Sequence, residues 1–288
     1  MKSIILFTTM AIFSGFCFGQ TDSTASAASD SIPTKSTLTV AAVYSNNASY
    51  YGQRAEESTP YTAIAATYQF KSGFYISGQT YKLLNEKTSP VSASSLGAGV
   101  NFKLSKKFLA GLSYSHSFYP AYSPLLQAAN ADNASIGLSY ESWLKTSLTG
   151  DYAFGKTSDA FVTGGISKTI NLFSIGKKDI ITISPSADVV AGTQHFYQTY
   201  LTEKKLRDSV LGILTDPIFG SPSTNNNSKT VSTTNFNILS YNLKCPLAYN
   251  RAHYVLEAAY QLSILSNQAQ TGAGKTNSFL TFSFYYQF

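Results

Sequence analysis

From Thr37 to the C-terminus, apolar and polar side chains alternate in stretches of roughly ten residues, the period that sends successive strand side chains to opposite faces. Leu96, Ala98, Val100, Phe102 and Leu104 fall on one side of such a stretch, and Gly97, Gly99, Asn101 and Lys103 on the other. The last stretch sets Leu280, Phe282, Phe284, Tyr286 and Phe288 against Thr281, Ser283, Tyr285 and Gln287. The same spacing links Leu38, Val40, Ala42 and Tyr44, then Ile64, Ala66, Tyr68 and Phe70, and later Tyr254, Leu256, Ala258, Tyr260 and Leu262. Counted through, the pattern predicts about twelve strands of the length a tilted membrane strand needs. Short connections (71–73, 105–107, 141–142, 171–178, 246–252) alternate with longer ones (46–60, 85–92, 119–133, 198–232, 266–276), and only 155–158 breaks the alternation. An even count places both termini at one end.

The expected fold is all-β, a transmembrane antiparallel up-and-down β-barrel. Lipid offers no hydrogen-bond partner, so strands cross it only when every edge is paired, and that requires closure. Composition agrees: 12% of residues are charged, there are 20 Tyr and 19 Phe, and mean hydropathy is −0.05 because two unlike faces cancel. No stretch after the N-terminus approaches the roughly 18 to 20 apolar residues of a membrane helix. The competing architecture, a soluble β-sandwich, has no need for Phe and Tyr at strand ends on the aliphatic face. A closing strand that is apolar outward, polar inward and terminated by Phe288 resembles the C-terminal assembly signal of bacterial outer-membrane β-barrels. The resemblance implies residence in the outer membrane of a Gram-negative bacterium. It also implies outer-membrane lipid around the protein and insertion by the barrel-assembly machinery through the C-terminal strand.

Residues 1–19 read as a signal peptide, with Lys2, an apolar run from Ile4 to Phe13 and small residues at Ser14, Gly15 and Gly19. Residues 20–36 form a flexible leader of Ser, Thr, Ala and Asp, and 37–288 the barrel. Cys17 offers a lipoprotein alternative, but the bulky Phe16 stands where such sites resemble one another in having a small residue. If Cys17 leaves with the signal, Cys245 is alone, so neither a disulfide nor a zinc site is expected. The long extracellular loop, 198–232, includes a predicted short helix with Thr202 as its cap and Leu206, Val210 and Leu214 at four-residue spacing.

The formal charge is +6, but the basic residues are scattered in predicted turns, and nucleic acid is not an expected partner. Gly272 to Thr276 spells GAGKT, yet Ala269 stands where a phosphate loop has glycine, and a strand follows where the motif needs a helix. His116 and Ser117 are neighbours on opposite faces; His195 and Asp188 are separated by an odd offset. Barrel lipases with a Ser–His pair are similar in architecture only, so no catalytic residue is assigned, and no metal or cofactor is expected. The informative charges lie within strands, where the lipid face would cost about 2–4 kcal/mol near the midplane. Lys145, Asp151, Asp188, Gln194, Glu257 and Gln261 are therefore expected to line the lumen, while Lys168 sits on the less polar face near a strand end. The expected function is a channel or binding barrel for a small polar solute. The alternatives are a structural or surface-interaction barrel with a filled lumen and, third, a barrel hydrolase.

Overall fold

The computed structural model describes residues 35–86, 89–215, 235–270 and 274–288. The expected signal peptide, the leader up to residue 34 and part of the 198–232 connection lie outside the described residues. The strands are β1 (Thr37–Ser45), β2 (Tyr61–Gln69), β3 (Phe74–Leu83), β4 (Ala93–Lys103), β5 (Phe108–Phe118), β6 (Asp132–Glu141) and β7 (Lys145–Phe154). They continue with β8 (Ser158–Ser167), β9 (Ile170–Phe173), β10 (Asp179–Ile183), β11 (Ser186–Gly192), β12 (Asn237–Arg251), β13 (Tyr254–Leu265) and β14 (Thr276–Gln287). All pairings are antiparallel. β1 through β8 pair in sequence, β8 pairs with β11, β11 through β14 continue the ring, and β14 returns to β1 from Thr39↔Gln287 to Ser45↔Thr281.

Closure involves twelve strands, because four of the fourteen segments are halves of two longer ones. Ser167↔Ser186 and Ile170↔Ile183 keep one register across the β8–β9 break, and Ser186↔Lys244 and Ile183↔Leu247 keep another across the β10–β11 break. The break has a chemical cause. Ser184 donates its N–H to the Pro246 carbonyl at 3.0 Å, but Pro246 has no N–H to return, so the ladder is interrupted beside Ser184 and Pro185. The predicted turn at 246–252 is corrected accordingly: β12 runs through Pro246 to Arg251, with the missing donor turned toward that interruption. The expected turn at 171–178 is likewise shorter, since β9 and β10 extend the hairpin below the ring.

Burial follows the alternation. On β14, Leu280, Phe282, Phe284, Tyr286 and the following Phe288 are exposed, whereas Phe279, Thr281, Ser283 and Tyr285 are buried. Ile64, Leu96, Leu112, Ile136, Leu148, Leu243 and Leu256 extend the exposed apolar band around the ring. A closed ring with this exterior is a bilayer structure: no ladder edge meets lipid, and the apolar surface is where hydrocarbon would be. No helix among the described residues is long and apolar enough to cross a membrane, so any crossing is made by strands. At the lower end, where β1 begins and β14 ends, the Lys168 ammonium lies 4.8 Å over the exposed Trp143 ring.

Candidate functional site

The upper end, away from the termini, is closed by segments that fold inward between strands. Residues 46–60 carry a miniature hairpin in which Tyr50 N–H donates to the Gln53 carbonyl (2.8 Å) and Gln53 N–H to the Tyr50 carbonyl (3.0 Å). Its two central residues, Tyr51 and Gly52, have φ of 51° and 81°, as a two-residue left-handed turn requires. The base is pinned by Asn47 Oδ1, which accepts from Thr59 N–H at 2.7 Å, and by Thr59 Oγ1, which accepts from Ala48 N–H at 3.1 Å. The tip reaches the inner wall: Ser240 Oγ donates to the Tyr51 carbonyl (2.8 Å) and Asn277 Nδ2 to the Gly52 carbonyl (3.1 Å). Only glycine fits there, because a Cβ on residue 52 would lie 2.8 Å from Ser240 Oγ and closer still to Asn242 Oδ1.

Aromatic packing fills the space around the tip. Tyr51 stacks on Phe161 of β8 with ring centres 3.8 Å apart, and Tyr50 meets Phe196 edge-on at 4.7 Å. Both belong to a buried cluster that takes Ala153, Val190 and Leu239 from the wall and Leu126 and Ala129 from a single 3-10 turn (Leu126–Ala129). Across the mouth a second cluster joins Ala48, Tyr61, Leu83, Ala93 and Leu125. Burial raises the Tyr50 and Tyr51 phenols well above the ordinary value, and the carboxylates of Asp151 and Asp159 push the same way.

Over this plug lies α1 (His195–Thr215), whose N-terminus is held by a strand rather than by its own cap. Asp159 at the start of β8 is 1% exposed, and its Oδ1 accepts from His195 N–H (2.7 Å), Thr193 Oγ1 (2.7 Å) and the His195 imidazole Nδ1 (3.0 Å). Oδ2 accepts from Phe196 N–H (2.9 Å) and Asn130 Nδ2 (3.0 Å). A carboxylate thus meets the positive end of the helix and satisfies donors that would otherwise be orphaned. Sequence reasoning placed the helix start at Thr202, but Thr202 is inside the helix, its hydroxyl donating back to the Gln198 carbonyl at 3.1 Å. Three ion pairs hold the exposed side of α1: Lys156–Glu203 at 2.5 Å, Arg207–Glu57 at 2.8 Å, and Lys204 with Glu56. Tyr197 and Tyr200 lie on its buried face, and burial pushes the Tyr197 phenol up to about 12.

The six sequence-selected residues divide between mouth and wall. Gln194 is not on a strand, because β11 ends at Gly192; its Nε2 donates to Gln53 Oε1 (2.8 Å), and its Oε1 accepts from Gln270 N–H (3.0 Å). This side chain clasps two connections together. Asp151 accepts from Ser135 Oγ, and Asp188 accepts from Asn242 Nδ2 at 2.7 Å. Lys145 opens β7 opposite Glu141 and Ser167 at the lower end. Gln261 is buried and donates to Ser263 Oγ at 3.0 Å. Glu257 is 4% exposed, and neither of its oxygens receives a hydrogen bond from the described residues.

Sequence reasoning missed Asp159, which reads as a turn-flanking charge, and Lys244, which shares the buried face of β12 with Asn242 and whose charge reaches both Asp188 and Glu257. The signal for Lys244 was present in the alternation of Tyr241, Leu243 and Cys245 around it. The histidines do not converge. His116 pairs through Nδ1 with Asp132 (2.7 Å) on the outward face, where Tyr114 joins the same carboxylate at 2.5 Å, while His195 belongs to the plug. Thr276, the last residue of the GAGKT stretch, opens β14 and not a helix.

No protein-family model matches the chain, and no curated protein does. Among solved structures, it is similar to the KdgM porin (9% identity, 87% of this chain and 99% of that one, TM-score 0.48). A bacterial polysaccharide outer membrane secretin (10%, 88% and 98%, 0.43) and an outer membrane channel from Pseudomonas putida F1 (11%, 90% and 97%, 0.43) are similar to it as well. At these identities and scores the functional reading rests on the residues of this chain.

Proposed function

We propose that this chain is a barrel of the Gram-negative outer membrane that passes or holds a small polar solute, its upper mouth facing outward and closed by the Tyr50–Gln53 hairpin and α1. The aromatic C-terminal strand supports insertion by the barrel-assembly machinery. The observation that carries the reading is that wall and closure are built separately. The ring is sealed by its own ladder from β1 to β14, whereas the plug consists of connections held by side-chain hydrogen bonds and packing. Such a plug can leave without opening the wall. Beneath it, the inward strand faces carry Ser, Thr, Asn and Gln with Asp188, Lys244 and Glu257, a lining that suits hydrated solutes.

Gly52→Val tests the proposal by expelling the hairpin tip while leaving every strand intact. Liposomes containing the wild type should admit a small sugar slowly, and those with the variant at least about tenfold faster, the factor given by 1.4 kcal/mol of lost closure. A variant that keeps its heat-modifiable gel migration, yet admits sugar no faster than empty liposomes and carries no current in planar bilayers, would end the passage reading. The alternative, a filled-lumen interaction barrel, is favoured by the burial of Tyr50, Tyr51, Phe161 and Phe196. It predicts silence in both proteins.

A further inference from the structure

We infer that Glu257 and Tyr285 form a site inside the lumen for an organic cation, an ammonium or guanidinium group carried on an apolar body. The inference rests on the polar-solute reading and narrows it to a solute class. It starts from hydrogen-bond accounting among the inward acids. Asp159 is saturated by the plug, Asp151 is engaged by Ser135, and Asp188 by Asn242. Glu257 is 4% exposed, yet no donor among the described residues reaches either oxygen. Burying a carboxyl group with neither oxygen partnered is costly, so a side chain left in this state is arranged for a donor from outside the chain.

The surroundings select the donor's chemistry. Glu257 stands opposite Ala248 on β12 and Ser283 on β14. Val255, two residues before it, pairs with Tyr285. Tyr285, Val255, Ala248, Ala41 and Ala65 form one buried apolar cluster, to which β1 contributes Ala41 and β2 Ala65. A carboxylate two register positions from a tyrosine on the same buried face, with small aliphatic side chains around them, suits a cation with a hydrocarbon portion: the charge meets the carboxylate and the ring, and the body meets alanine and valine. A hard inorganic cation needs about six or more oxygen ligands, and no group of three or more His, Cys, Asp or Glu side chains is placed to hold one among the described residues. Lys244 supplies a resident positive charge that reaches Glu257 and Asp188 alike, so an entering cation competes with it instead of meeting a bare anion, which keeps occupancy reversible.

The test is equilibrium binding to the full-length barrel in detergent micelles, by calorimetry, with benzylammonium, benzyl alcohol and benzoate as probes. It is run on the wild type and on Gly52→Val, so that a closed mouth does not hide the site. Benzylammonium should bind saturably to the Gly52→Val barrel, at least about tenfold (1.4 kcal/mol) tighter than either of the other probes. Glu257→Gln in that background should lose about tenfold or more, Tyr285→Leu about threefold or more, and Asp188→Asn less than about threefold, with 1.4 kcal/mol again marking each factor of ten. Equal binding of the three probes, no binding of benzylammonium to either barrel, or undiminished binding by a folded Glu257→Gln protein would each overturn the site. The probe comparison uses no variant of Glu257, so it decides the question even if Glu257→Gln does not fold. Binding requires no passage and liposome swelling requires no site. Saturable binding with no swelling therefore ends the passage reading alone, and swelling without cation preference ends this inference alone.

Discussion

The mouth and the lower half of the lumen each bury a carboxyl group, and the two are treated in opposite ways. Asp159 meets the N–H groups of His195 and Phe196, the Thr193 hydroxyl, the Asn130 amide and the His195 ring; Glu257, inside the same ring of strands, meets no donor among the described residues. Taking a carboxylate from water costs several kcal/mol, which a full set of donors offsets and an empty one does not. The comparison teaches what each region is built for. The mouth has one arrangement in which every oxygen of Asp159 is used, so it specifies a closed state. The lower lumen keeps a buried carboxyl group without a hydrogen bond, which contributes nothing to folding and is explained by something that arrives later.

The largest effect should come from removing the saturated member of the pair. Asp159→Ala strips the acceptor from two buried backbone donors, a hydroxyl and an amide, and should destabilise the closed mouth by roughly 3–5 kcal/mol. The ladder of the ring is untouched, so the loss should be local. Amide hydrogen exchange at Phe196 and Tyr197 should accelerate by two orders of magnitude or more, about 1.4 kcal/mol for each factor of ten, while the amides of β13 and β14 keep their protection. If protection of α1 survived the substitution, the ion pairs to Glu56 and Glu57 would be holding the helix, and the contrast with Glu257 would lose its meaning.

A smaller and graded effect is expected from alkali. The phenols of Tyr50 and Tyr51 are raised well above their ordinary value and that of Tyr197 to about 12, chiefly by burial, whereas a released phenol ionises near 10. Closure requires these groups neutral. Its stability is therefore constant below about pH 10 and falls as pH rises from there toward the closed-state values, by up to about 1.4 kcal/mol per pH unit for each tyrosine. Ultraviolet titration should show a late-ionising set of tyrosines, and solute entry into liposomes should begin in the same interval. Entry that starts several pH units below it would show that some other contact fails first.

How much of this could be read in the chain depends on the range of the interaction involved. Period-two alternation is local, so the twelve crossings, the outward band ending in Phe288 and the inward side of Glu257 and Gln261 were all legible. The closure was not, because its partners are remote. Tyr50 and Tyr51 look like aromatics stranded in a polar loop until β8 supplies Phe161, and the cap of α1 comes from Asp159, 36 positions before His195. A cap sought within the local sequence is Thr202, which lies seven residues past the first residue of α1. Gln194 was assigned to the wall because its spacing from Asp188 is even, but the strand ends at Gly192, and beyond that point parity says nothing about direction. Pro246 misled in the other direction: a proline suggests a turn, and here its missing donor faces a gap that the opposite strand already has.

The smallest expected change in stability is the one that completes the comparison. Glu257→Gln alters one atom, keeps the shape and removes the charge. Since Glu257 has no hydrogen bond to lose and a buried ionised carboxylate is unfavourable, the barrel should be unchanged or about 1 kcal/mol more stable, measured as the midpoint of urea-induced release from lipid vesicles. Asp159→Asn, equally conservative in shape, turns an amide N–H₂ toward donors that need an acceptor and should lower protection of α1 by about 2 kcal/mol or more. A matching loss in Glu257→Gln would mean that the lower-lumen carboxyl group is a structural partner after all, and the reason for reading it as a site would be gone. A gain in stability together with a loss of benzylammonium binding would show the opposite: that the chain carries this charge at the expense of its own folding free energy because the lumen needs it.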